Sequence, residues 1–132
     1  MTVKSAAVLV GLIFIVVGIL GYVDNPIVGD SPDAIFHADS THNMVHIISG
    51  AVFLLIAILA PSLTRTFMII FGLVYLGLGI MGMVNTGEGG MVELLGFLHV
   101  NNADNYLHIG LGVVILLLAL TTQRRTDVQR QY

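Results

Sequence analysis

Four long runs of apolar residues, separated by polar segments, dominate the chain. They cover residues 3–23, 42–60, 67–84 and 105–122, and each is about 18 to 21 residues long. A helix needs roughly 20 apolar residues to cross the ~30 Å hydrocarbon core of a bilayer. Because backbone groups in lipid must be hydrogen-bonded within their own segment, these runs predict helices. The pattern therefore predicts an all-α fold, an integral membrane four-helix bundle.

The first run does not look like a cleaved signal peptide. It follows a single Lys4, lacks an A-x-A cleavage site and ends in GYVDNP, whereas a signal peptide ends in a small-residue site. We therefore expect a retained helix. Residues 1–132 are predicted to form a single transmembrane domain, with residues 123–132 as a cytoplasmic tail.

The composition agrees with a membrane protein and excludes several kinds of chemistry. Of the 132 residues, 56% are hydrophobic and 10% are charged, and the mean hydropathy is +0.94. A soluble domain carries roughly 25% charged residues. The chain has no cysteine, which excludes disulfides, thiolate zinc sites, iron–sulfur clusters, c-type haem attachment and thiol nucleophiles.

Positive and negative residues are separated along the chain. The cations lie at the chain ends or between the second and third runs, at Lys4, Arg65, Arg124, Arg125 and Arg130. The long loops 24–41 and 85–104 carry Asp24, Asp30, Asp33, Asp39, Glu88, Glu93 and Asp104. The positive-inside rule then predicts a multi-pass protein of the cell (cytoplasmic) membrane, with both termini in the cytoplasm and both long loops outside.

The sequence contains an internal repeat, with similar segments at an offset of 61 to 62 residues. Residues 11–24 and 72–85 share six identities in fourteen positions, and residues 42–60 and 104–122 share eight in nineteen. We predict two parallel helical-hairpin repeats, about 3–60 and about 67–122, related by an axis along the membrane normal. Matching glycines lie on one face of the first and third helices, at Gly11, Gly18, Gly21 and at Gly72, Gly79, Gly82; small residues there allow close helix packing.

The second and fourth runs share the element N-x-x-H-x-x-x-G. It comprises Asn43, His46 and Gly50 in the first copy and Asn105, His108 and Gly112 in the second. Residues four apart share a helix face, so His42 lies one turn from His46, as Asp104 does from His108. If these helices meet near the axis, the sequence predicts an outward-facing polar cluster. Its predicted members are His42, His46, Asp104 and His108, with Asn43 and Asn105 at its edge. In a second interpretation, Asn43, Asn105 and Asp104 only cap the starts of helices.

Two N-x-x-H-x-x-x-G elements and four spans, with a short Gly-rich loop before the last helix, resemble a bacterial and archaeal family of small membrane proteins. That family carries only a domain-of-unknown-function label. The similar phrases are DNP (24–26), HNMVHIISG (42–50), GLVYLGLGIMG (72–82) and NNADNYLHIGLGV (101–113). The resemblance covers nearly the whole chain. It implies the four-helix fold, points to Asn43, His46, Asn105 and His108, and supplies no activity.

Two kinds of ligand fit the predicted cluster. Histidines at positions i and i+4 can chelate one ion. With Asp104 and His108 they would give three or four N/O ligands, which suit Zn²⁺, Cu²⁺, Ni²⁺ or Mn²⁺. Alternatively, His46 and His108 could be the axial ligands of one b-type haem, with the glycines at i+4 leaving room for the ring.

A structural role is the rival interpretation. His46 and His108 would then hydrogen-bond to each other or to the asparagines and join the helices of an accessory membrane subunit. No catalytic set is evident, so we do not predict an enzyme, and no residue marks a transport pathway through the bilayer. The predicted partners are the lipid bilayer and either further copies of the chain or a larger membrane complex, without nucleic acid.

The segment 91–100 has apolar residues at helical spacing, with Glu93 and His99 among them. Such a segment predicts a short amphipathic helix lying in the outer membrane interface. This helix would either cover the predicted polar cluster as a lid or only cap the outer end of the bundle, and we favour the second.

Overall fold

The computed structural model describes residues 1–87 and 90–123 and consists of four long helices, which confirms the predicted all-α bundle. The helices are α1 (Val3–Leu20), α2 (Ser40–Leu59), α3 (Thr64–Asn85) and α4 (Asn102–Thr121), and a 3-10 turn over Pro61–Leu63 joins α2 to α3. All four are long and apolar enough to cross a membrane, which indicates a multi-pass membrane protein. Of the predicted tail 123–132, all but Gln123 lies outside the described residues, as does Glu88.

The two ends of the bundle differ. At the end that we call the terminal end, the Val3 N–H donates to the Gln123 carbonyl at 3.0 Å. Arg65 also lies here. Its guanidinium donates to the carbonyl oxygen of Thr122 at 2.6 Å and to that of Ala119. Cations favour the negative end of the helix dipole, so Arg65 caps α4 and joins it to the start of α3.

The helices pack most extensively in two pairs, α1 with α2 and α3 with α4. Glycines allow the close approach in both. A Cβ atom at Gly11 would lie 2.9 Å from the carbonyl oxygen of Gly50, and one at Gly72 would lie 3.1 Å from that of Gly112. Without side chains the backbones approach directly, which gives van der Waals contact where lipid offers no hydrophobic driving force.

An aromatic core fills the centre of the bundle between the two pairs. Phe14 stacks on Phe53 with ring centroids 6.0 Å apart, and Phe71 stacks on Tyr75 at 4.9 Å. The ring of Phe53 meets that of Phe71 edge-on at 4.8 Å. Offset and edge-to-face aromatic pairs of this kind are favourable beyond the area they bury. Large apolar side chains on the outer helix faces remain exposed, as expected for lipid contact, among them Leu55, Leu59, Leu73, Leu117 and Leu120.

The opposite end, which we call the loop end, carries the two long connections. The first connection contains two short parallel strands, β1 (Val28–Gly29) and β2 (Phe36–His37). Asn25 organises its start, because its side-chain amide donates to the carbonyls of Leu20 and Val28, and its carbonyl accepts from the Ile27 and Val28 N–H groups. Asn25 of the DNP phrase therefore satisfies a carbonyl at the end of α1 and shapes the loop.

The second connection corrects the sequence prediction, because residues 91–100 do not form a helix. They form an antiparallel hairpin of β3 (Met91–Leu94) and β4 (Leu98–Asn101). Leu95 and Gly96 both have positive φ, at 56° and 78°, as in the type I′ turns that favour hairpins. Leu94, Leu98 and Val100 are buried together. The turn at Leu95 and Gly96 and the alternation of apolar and polar residues along β4 fit a hairpin, so the helical spacing of apolar residues did not predict the structure here.

Candidate functional site

Three histidines converge at the loop end of the bundle. His42 and His46 lie in the first turns of α2, and His108 lies in the second turn of α4. One nitrogen from each imidazole can be chosen so that all three lie within 4.8 Å of one another. The ring centroids of His42 are 4.5 Å from His46 and 5.8 Å from His108. The structure thus brings together three of the four residues predicted as metal ligands, and we call them the histidine cluster.

The histidine cluster is buried and its polar atoms are not all satisfied. The exposed fractions of His42, His46 and His108 are 2%, 6% and 4%. Among the described residues, the Nδ1 atoms of all three have no hydrogen-bond partner. A buried polar group left without a partner costs about 1–3 kcal/mol. The three imidazoles therefore retain polar atoms that a hydrogen bond or a ligand could satisfy.

Aromatic side chains close the histidine cluster on the side that faces the bundle centre. The ring of Phe14 meets His46 edge-on, with centroids 5.7 Å apart, and the ring of Tyr75 meets His108 edge-on at 4.9 Å. Phe14 and Tyr75 also touch each other at 5.3 Å. The imidazoles therefore lie directly on two residues of the aromatic core, which form an apolar floor beneath them.

Asp104, the fourth predicted ligand, lies outside this set of ligand atoms. Its carboxylate accepts a hydrogen bond from the Asn101 N–H at 2.9 Å, and the Asn101 side chain accepts one from the Asp104 N–H at 2.9 Å. This reciprocal pair is a capping box, which satisfies two otherwise free N–H groups at the helix start. The local geometry of Asp104 is that of the capping interpretation.

The two asparagines of the repeated element lie at helix interfaces and not in the histidine cluster. Asn43 packs against Gly21 and Asn105 against Gly82, and in each case a Cβ atom on the glycine would overlap the amide. The Asn105 amide also donates to the Thr86 hydroxyl at 2.9 Å. Neither asparagine caps a helix: Asp39 caps α2 and Asn101 caps α4.

The glycines at i+4 do not open a slot for a haem ring. A Cβ atom at Gly50 would lie 2.5 Å from the carbonyl oxygen of Gly11 on α1, and one at Gly112 would lie 2.7 Å from the backbone nitrogen of Leu76 on α3. Both glycines are used for helix packing. The glycines that suggested space for a porphyrin are therefore explained by the close packing of the helices.

Three further polar residues gather at the surface near the histidine cluster, and the sequence analysis did not predict this group. The His99 Nδ1 atom lies 3.3 Å from an Asp39 carboxylate oxygen, and its Nε2 atom lies 3.7 Å from a Glu93 oxygen. Glu93 and His99 face each other across the hairpin. The signal was the alternation of polar and apolar residues in LHVN, which identifies a strand and places His99 on its solvent side.

Comparison with known proteins gives a family without an assigned activity. No curated protein and no solved structure matches the chain. A protein family described as domain of unknown function (DUF4383) matches residues 4–121. This match spans all four helices and both histidine-bearing elements. The chain therefore belongs to the DUF4383 family.

Proposed function

We propose that this protein binds one divalent transition-metal ion between His42, His46 and His108. The observation that carries the proposal is the convergence of three buried imidazoles whose Nδ1 atoms lack partners. In a tetrahedral site with Zn–N bonds of about 2.0–2.1 Å, ligand nitrogens lie roughly 3.3 Å apart. The present separations of up to 4.8 Å would close to that value through modest rotations of the side chains.

The donor set supports an ion of the zinc type. Imidazole suits zinc, copper, nickel and iron, whereas magnesium, calcium and manganese prefer oxygen ligands. Because the Asp104 carboxylate is held in a capping box, the donors are three nitrogens. Three protein ligands leave a fourth position for water or another small ligand, as in catalytic and exchangeable zinc sites.

The placement of the three ligands supports the proposed duplication of a helical hairpin. Equivalent contacts recur in the two helix pairs: Gly11 with Gly50 and Gly72 with Gly112, Gly21 with Asn43 and Gly82 with Asn105, Phe14 with His46 and Tyr75 with His108. Each half would then supply one histidine. His42, which the second half lacks, would provide the third ligand and make the site suited to a single ion.

We propose further that the loop end faces outward in the cell membrane. Lys4 and Arg65 lie at the terminal end, while Asp24, Asp30, Asp33, Asp39, Glu93 and Asp104 lie at the loop end. This asymmetry matches the positive-inside rule. The ion would then be taken from the extracytoplasmic side.

Metal analysis of the purified full-length protein in detergent tests the proposal. We expect about one zinc, copper or nickel ion per chain after dialysis against each metal, and loss of that ion in His42→Ala, His46→Ala and His108→Ala. His37→Ala, which removes a half-buried histidine of β2 that is not one of the three proposed ligands, is the matched control and should keep the ion.

The same samples test the rival interpretations. A Soret band in the visible spectrum that disappears in His46→Ala would select haem and contradict the ion site. A colourless, metal-free wild type, with histidine variants that are only less stable, would contradict both kinds of ligand. That result would support a structural or accessory role.

A further inference from the structure

Asp39, Glu93 and His99 form a surface group beside the histidine cluster, which we call the surface triad. The imidazole of His99 lies between the two carboxylates, at 3.3 Å from Asp39 and 3.7 Å from Glu93. The side chains are 32% to 50% exposed. Two carboxylates and an imidazole are oxygen and nitrogen donors that a hydrated divalent ion can bind while it keeps part of its water shell.

The surface triad is directly connected to the histidine cluster. Asp39 is the N-cap of α2, and one of its oxygens accepts a hydrogen bond from the backbone N–H of His42 at 2.9 Å. The other oxygen faces His99. Strand β4, which carries His99, packs against both α2 and α4, the two helices that carry the three histidines. The hydrogen bond to His42 therefore links the exposed donors of the surface triad to the helix that carries two of the buried histidines.

In the described part of the chain, aromatic side chains block access to the histidine cluster from the centre of the bundle, on the side away from the surface triad. Phe14 and Tyr75 form its floor, and Phe71 lies directly beyond them, with ring centroids 5.5 Å from Phe14 and 4.9 Å from Tyr75. Transfer of an ion through such an apolar core would carry a large desolvation cost. Lipid surrounds the outer helix faces, so an ion would have to arrive from the loop end.

We infer that the surface triad is the entry site through which a divalent cation reaches the histidine cluster, an inference that rests on the proposed metal binding. The triad attracts the hydrated ion and exchanges some of its water, and the ion then passes to His42. Acidic side chains at the mouth of a site raise the local cation concentration and the association rate. The triad therefore sets the rate of loading, whereas the three buried histidines set the final occupancy.

Stopped-flow mixing of Co²⁺ with the metal-free full-length protein in detergent tests this inference. Co²⁺ gains visible absorption in a nitrogen site of low coordination number, so the signal reports arrival at the histidine cluster. We expect association about tenfold slower in Glu93→Gln and His99→Ala than in the wild type, with the same final absorbance. Asp33→Asn, which removes one charge from an exposed position on the same end of the bundle, is the matched control and should bind at the wild-type rate.

Any other outcome would contradict the inference, and each would do so for a different reason. Unchanged rates in Glu93→Gln and His99→Ala would exclude the surface triad as the route. An equal decrease in Asp33→Asn would mean that only the net charge of the loop end matters. Loss of the final absorbance in either triad variant would make the triad part of the binding site. If the wild type itself bound no Co²⁺ at saturating concentration, the proposed function would fail first, and that result is distinct from a change in rate.

Discussion

Gly82 on α3 lies directly against the side-chain amide of Asn105 on α4, leaving no room for a methyl group between them. At Gly77, on the same helix, no atom of the described residues outside the local helix backbone lies within 4 Å of the position that a Cβ would occupy. The two glycines therefore form a natural comparison between a packed and an open position on one helix.

We expect Gly82→Ala to destabilise the protein by about 1–3 kcal/mol, the usual cost of overpacking a tight interface. Gly77→Ala should leave stability unchanged or raise it by up to about 1 kcal/mol, since alanine is the better helix former. Thermal unfolding of both variants in one detergent measures the difference. Equal stability of the two variants would show that the contact between α3 and α4 is looser than described.

Metal binding should stabilise the folded protein. A ligand that binds only the folded state adds about 2.7 kcal/mol at a concentration one hundred times its dissociation constant. We expect added Zn²⁺ to raise the unfolding temperature of the wild type by several degrees and to leave that of His108→Ala unchanged. A similar rise in His108→Ala would place the ion elsewhere on the protein.

The substitution Asp104→Asn tests whether Asp104 is a metal ligand or only a capping residue. The amide oxygen of asparagine can still accept the hydrogen bond that the Asn101 N–H now donates to the carboxylate. We therefore expect Asp104→Asn to bind one ion per chain, as the wild type should, and His42→Ala to bind none. Asp104→Ala, which removes one hydrogen bond of the capping box, should lower stability by about 1 kcal/mol and also keep the ion. Loss of the ion in Asp104→Asn would add this carboxylate to the ligands.

The orientation in the membrane can be measured directly because the native chain has no cysteine. Single cysteines at Asp33, at the loop end, and at Ser62, at the terminal end, would both be exposed. In intact cells, a membrane-impermeant maleimide should label Asp33→Cys, while Ser62→Cys should react only after lysis. The reverse pattern would invert the topology proposed from the charge distribution.

The helices and the three histidines could be predicted from the sequence because both depend on short-range periodicity. A run of about 20 apolar residues has few alternatives to a helix in lipid, and residues four apart must share a face. His42 and His46 follow from that spacing alone. The link to His108 came from the matched elements of the two halves.

The sequence left Asp104 open between a ligand and a capping residue, because its role depends on where α4 begins. It also favoured a helix over residues 91–100, because the spacing of apolar residues did not reveal the turn at Leu95 and Gly96. The sequence suggested that the fourth helix starts at Asn105, but it starts three residues earlier, at Asn102. Asp104 thus lies at the third helical position, where it reaches back to the Asn101 N–H. Likewise, the positive φ of Leu95 and Gly96 creates the hairpin that brings His99 to Asp39, a contact between residues 60 positions apart that spacing rules do not reveal.

The hydrogen bond from the Val3 N–H to the Gln123 carbonyl joins the two helix pairs at one end of the molecule, and the histidine cluster lies between them at the other. Since the helices pack far more extensively within each pair than between the pairs, each pair should behave as a rigid body with the contact of Val3 and Gln123 near the pivot. An ion shared by His46 of one pair and His108 of the other would then fix the angle between the two bodies. We expect ion binding to change the distance between α2 and α4 at the loop end. A partner that contacts this surface would then distinguish the metal-bound protein from the metal-free one.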